Sequence, residues 1–156
     1  MRKLLDNILS LAFAGYMILL IYFLFFSEEY GRTVHYTEYQ YNLKLFHEIS
    51  RYIKYREVVG MEYFLINIVG NVVVFMPFGF FLPLVSEHKI KFFKVFITAF
   101  SLSLSIELIQ LISKVGSCDV DDLILNTLGG LLGYWCFCIY KNMNRAYKKS
   151  KEQGKR

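Results

Sequence analysis

The sequence predicts an all-α fold: an integral membrane four-helix bundle with both termini in the cytoplasm. Three observations predict it. Of 156 residues, 55% are hydrophobic and 18% aromatic, with a mean hydropathy of +0.36, an excess that does not fit a soluble globule. The apolar residues fall into four long runs, each near the ~20 residues that cross about 30 Å of hydrocarbon at about 1.5 Å per residue. The basic residues sit between and beyond these runs, unevenly on the two sides.

The first run, residues 8–26, has 19 residues without a charge and follows Arg2 and Lys3. A secretory signal would be shorter and would end on small residues at alternating positions. Ser27, Glu28 and Glu29 follow instead, so the run reads as an uncleaved first span. The second span, 64–85, sits inside a 24-residue uncharged stretch from Tyr63 to Ser86. The third, 95–113, carries one charge, Glu107, and the fourth covers 123–140.

Counting Lys and Arg sets the orientation. The N-terminus has two, the 86–94 loop three and the tail from Lys141 seven, against six on the opposite side, where six Glu dilute the first loop. The positive-inside rule therefore places both termini in the cytoplasm. On this reading residues 1–141 form the membrane domain and 142–156 a basic cytoplasmic tail, whose end, KKSKEQGKR at 148–156, is polar and disordered. The net charge of +5 reflects this orientation, and no nucleic acid is expected as a partner. Three cysteines imply no disulfide framework, and Cys118 has no neighbouring base or resolving cysteine that would activate it.

The first loop, 27–62, is too long for a turn and too aromatic for a flexible linker. Leu43, Phe46, Ile49 and Ile53 recur at roughly helical spacing, with Lys44, Glu48, Arg51 and Lys54 largely between them, which predicts an interfacial amphipathic helix on the outer surface. His35 and His47 read as ordinary loop residues.

Polar residues interrupt the spans in pairs: Asn67 and Asn71 in the second, Glu107 and Gln110 in the third, Asp122 and Asn126 at the fourth. Spacings of three or four put each pair on one helix face. At about 1.5 Å per residue the five within spans lie about 4–12 Å below the outer surface, in one layer. Asp119, Asp121 and Asp122 add carboxylates at its rim. An ionisable group in a span costs roughly 3 kcal/mol or more, so Glu107 is expected to face the bundle interior. The amides can bond across helices and Asp122 can cap the fourth helix. The three Asp residues can also hold a hard divalent cation such as Mg²⁺ or Ca²⁺, although their spacing matches no closed motif, and no other cofactor is expected. Gly129 and Gly133 form a small-xxx-small face for close helix packing. Pro77 removes the hydrogen bond to Val73 and, with Gly79, bends the second helix.

These residues carry a resemblance. NIVGNVVVFMPFGFFLPL at 67–84, SLSIELIQ at 103–110 and DVDDLILNTLGGLLGY at 119–134 resemble, in order and spacing, the three signature segments of the VanZ-like membrane proteins. Weaker similarity reaches NLKLF at 42–46, so about 90 residues carry it. The resemblance implies that Asn67, Asn71, Pro77, Gly79, Glu107, Gln110, Asp119, Asp121, Asp122, Asn126 and Gly129 are the family's recurrent positions. Two departures stand out. Relatives often have Pro where this chain has Leu45, and an Arg in the loop where it has Lys114. The resemblance further implies a bacterial cytoplasmic-membrane protein of the cell envelope that reduces susceptibility to teicoplanin-type glycopeptide antibiotics, with no established reaction.

Three functions fit these readings. The first is an outer pocket, formed by Asn67, Asn71, Glu107, Gln110, Asp119, Asp121, Asp122 and Asn126, that binds a membrane lipid headgroup, a cell-wall precursor or a lipoglycopeptide. The second is an intramembrane enzyme on a lipid-linked substrate, with Glu107 as the candidate catalytic acid or base and Asp119, Asp121 and Asp122 holding a cation. The third is a small transporter, against which the nearly apolar stretches 72–81 and 131–139 argue.

Overall fold

The computed structural model describes residues 2–26, 37–86 and 90–153; His35 lies outside them. Among the described residues four helices are long and apolar enough to cross a membrane, which is the predicted all-α bundle. In chain order the elements are α1 (Arg2–Phe26), β1 (Gln40–Asn42), α2 (His47–Val59), α3 (Met61–Phe64), a π-helical segment (Leu65–Gly70), α4 (Asn71–Val85), α5 (Phe92–Ser113), β2 (Ser117–Asp119) and α6 (Val120–Gln153).

The tightest seam joins α4 to α6, and its cause is the glycines. A Cβ on Gly129 would lie 2.2 Å from the Val72 carbonyl oxygen, one on Gly133 1.9 Å from that of Met76, and one on Gly79 1.7 Å from that of Gly130. The two backbones touch directly, as small-residue faces permit. Gly79 is thus a packing position in a helix that runs on past Pro77 and Pro83, rather than only a partner in a bend. On the other side of α6, Gly130 meets Ala99 of α5.

α1 lies at the edge of the bundle. Its inward side joins a core of Leu20, Leu24, Phe75 and Ile106, and the Tyr16 hydroxyl donates to the Val74 carbonyl oxygen at 2.8 Å. In a medium without water that hydroxyl needs such a partner.

Two sequence expectations shift. The basic tail is helical to Gln153. Its Lys, Arg, Glu and Ala residues are good helix formers, with no Gly or Pro before Gly154. The amphipathic helix begins only at His47, because Phe46 adopts a left-handed φ of 59°. Leu43 and Phe46 therefore precede it. Both are largely exposed, as are Leu45 and Ile53, which suits a segment lying at a membrane surface.

Candidate polar site at the α2 end of the bundle

The loop between α5 and α6 organises this end. Lys114, with φ of 56°, ends α5 in the left-handed conformation, and its N–H donates to the Leu111 carbonyl at 3.2 Å. The chain then turns into β2, which pairs in parallel with β1, Gln40 opposite Ser117 and Asn42 opposite Asp119. A ladder of two three-residue strands is marginal alone, and side chains reinforce it. Asn42 Nδ2 donates to both carboxylate oxygens of Asp119, at 3.3 and 3.2 Å. Glu107, only 3% exposed, accepts the Asp119 backbone N–H at 2.8 Å.

Asp119 also accepts the Asp121 N–H at 2.8 Å, the geometry of an N-cap on α6. The capping expected of Asp122 therefore falls to Asp119, because α6 starts three residues before the predicted span.

Asp121 faces away from its own helix. Fully buried, it accepts the N–H groups of Phe46 at 2.5 Å, Glu48 at 2.9 Å and Ile49 at 3.1 Å. These are the donors that a helix N-terminus leaves without intrahelical partners, and the positive end of the helix dipole favours a carboxylate there. Asp121 thus caps α2 from more than 70 residues away in sequence.

The remaining polar residues divide by exposure. Gln110 is buried and donates to the Leu24 carbonyl at 2.9 Å, satisfying one of the free carbonyls at the end of α1. Asn126 is buried and donates to Ser103 Oγ at 3.0 Å, while its Oδ1 has no hydrogen-bond partner among the described residues. Asn67, Asn71 and Asp122 are half-exposed, with Asn71 Nδ2 donating to Asp122 at 2.6 Å. Asn67 lies in the π-helical segment, whose i to i+5 winding differs from that of the flanking helices.

Of the eight predicted site residues, five (Glu107, Gln110, Asp119, Asp121 and Asn126) are therefore interior. The other three meet the surroundings. The carboxylates of Asp119, Asp121 and Asp122 are directed at three different partners, and among the described residues no group of three or more His, Cys, Asp or Glu is placed to hold a metal ion. The Cys118 thiol is pushed up by burial and then by the Glu107 and Asp119 charges, which disfavours a reactive thiolate. Sequence reasoning missed Asn42, Ser103 and the strand pair. The only signal for Asn42 was the weak resemblance at 42–46.

Burial raises the Asp119 carboxyl above its ordinary 3.8; hydrogen bonds from Asp121 and Asn42 oppose this, and the Asp121 and Glu48 charges reinforce it. The folded protein therefore binds this proton more tightly than the unfolded chain. The stability it contributes is present below the ordinary value and is lost as pH rises through the raised one. In detergent, the unfolding midpoint of the wild type relative to Asp119→Asn should fall as pH rises through that window; a constant difference would show that Asp119 titrates normally.

Comparison with known proteins adds a family. A model of the VanZ/LLP1 family matches residues 13–141. Protein VanZ of Enterococcus faecium is 39% identical over 80 residues, which is 51% of this chain and 49% of that protein. The chain thus aligns with about half the length of this curated relative. No solved structure matches.

Proposed function

The chain belongs to the VanZ/LLP1 family, and on that footing we propose that it is a bacterial cytoplasmic-membrane protein whose polar end faces outward and engages a lipid headgroup, a cell-wall precursor or a lipoglycopeptide. Through that contact it lowers susceptibility to teicoplanin-type drugs. Lys and Arg are concentrated in the termini and the 86–94 loop, which supports the outward placement of the opposite end.

One observation carries the reading. Buried acids, chiefly Glu107 and Asp121, fix a capping segment across the end of the bundle, leaving Asn67, Asn71 and Asp122 half-exposed on adjacent helices. Buried polar groups are costly unless they are hydrogen-bonded, so this framework is a stiff support for three ligand-facing groups. Their oxygens suit a partner rich in N–H and O–H donors, as peptide and sugar headgroups are.

The test is drug susceptibility at matched membrane levels. Asn71→Leu and Asp122→Ala should lose protection while remaining folded, because both groups are half-exposed. Glu107→Gln should weaken it through the cap, since only one of its two terminal atoms can still accept the Asp119 N–H. Protection equal to wild type in all three, or none from the wild type itself, would remove the proposal.

A further inference from the structure

An apolar groove of about 480 Å³ runs between α1 and α5, its walls including Met17 and Phe26 on one side and Leu102 and Ile109 on the other. From Met17 to Phe26 it extends about 14 Å, about half of a ~30 Å hydrocarbon core and so the depth of one leaflet. Its serines show it no donor: Ser105 bonds the Ser101 carbonyl at 2.7 Å and Ser113 that of Ile109 at 2.7 Å. Such walls suit an alkyl chain.

The mouth is different. Ser113 and Val115 line the groove, and the residue between them is Lys114. Its ammonium is steadied by the Thr37 carbonyl at 2.7 Å and lies 4.9 Å from the centre of the Tyr39 ring. Among the described residues it forms no ion pair. An ammonium has three donors, and among the described residues one of them is used, on the Thr37 carbonyl. A one-leaflet apolar slot with a lysine between two of its end-lining residues has the chemistry of a site for an anionic amphiphile.

We propose that this groove holds one acyl chain of an anionic phospholipid, with its phosphate against Lys114. The site is separate from the ligand-facing Asn67, Asn71 and Asp122 and does not depend on the drug-access reading.

The test is native mass spectrometry of the full chain in detergent, with dioleoyl-phosphatidylglycerol and dioleoyl-phosphatidylcholine added in turn. Wild type should retain one phosphatidylglycerol in preference to phosphatidylcholine. Lys114→Gln should reduce that preference about five-fold, the scale of one basic contact with an anionic surface, whereas Lys54→Gln should leave it unchanged. Ser105→Phe, which fills the groove from an exposed position, should lower retention of both lipids. The proposal is overturned by equal retention of the two lipids by wild type, by wild-type behaviour of both Lys114→Gln and Ser105→Phe, or by a lipid-free dimer that closes the groove.

Discussion

Gly133→Leu should leave little folded protein. A Cβ at this position would sit 1.9 Å from the Met76 carbonyl oxygen and 3.0 Å from the Phe80 nitrogen. Overpacking costs about 1–3 kcal/mol where side chains can give way. Here the obstacle is backbone on a facing helix, so relief requires α4 and α6 to separate, and we expect a loss of about 3 kcal/mol or more. Unfolding by titration of SDS into mild detergent measures it. Gly15→Leu is the control, because nothing lies within 4 Å of a Cβ there, and it should unfold like wild type. If Gly133→Leu unfolds with Gly15→Leu, the α4 and α6 backbones do not touch at Gly133.

Asp121→Ala should release α2 without melting the bundle. Three backbone N–H groups would lose their acceptor. A buried donor left unsatisfied costs about 1–3 kcal/mol, reduced here because water can reach the loosened helix end. Hydrogen exchange at the Glu48 and Ile49 amides should accelerate by about 100-fold, equivalent to about 2.7 kcal/mol. Amides along the α4–α6 seam should be unaffected. Asp121→Asn keeps one acceptor oxygen but turns an NH₂ towards donors, so its acceleration should be intermediate. Unchanged exchange in Asp121→Ala would mean that α2 is held by something else.

Much of the fold was legible because a membrane imposes simple demands on a sequence. A helix that must span hydrocarbon without water reads as an uncharged run, and all four spans are found where such runs lie. The glycine face at 129 and 133 was legible for a similar reason, since only small side chains allow backbone contact. The site was legible in composition but not in role. Spacing put Glu107 and Gln110 on one helix face, yet nothing in the spacing says that Glu107 binds the Asp119 amide or that Gln110 binds the end of α1. Such partners are set by tertiary geometry.

The Asp119–Asp121–Asp122 run shows the limit most clearly. Three near-consecutive acids suggested a shared ion site, but the turn into α6 sends them in three directions: to its own helix start, to the start of α2, and to Asn71. The β1–β2 pair was out of reach as well, because three-residue strands 77 positions apart carry no period. The tail's charge points to solvation, yet its Lys, Arg, Glu and Ala residues favour the helix that runs to Gln153.

The outward direction of the polar end is the premise on which the functional account depends. In a background of Cys118→Ser, Cys136→Ser and Cys138→Ser, a single cysteine is placed at Ser117 in β2 or at Ser150 near the end of α6, both exposed positions. A membrane-impermeant maleimide is then applied to intact cells. Ser117→Cys should be labelled in intact cells and Ser150→Cys only after lysis. The reverse pattern would put the polar end in the cytoplasm and contradict a role at the outer surface.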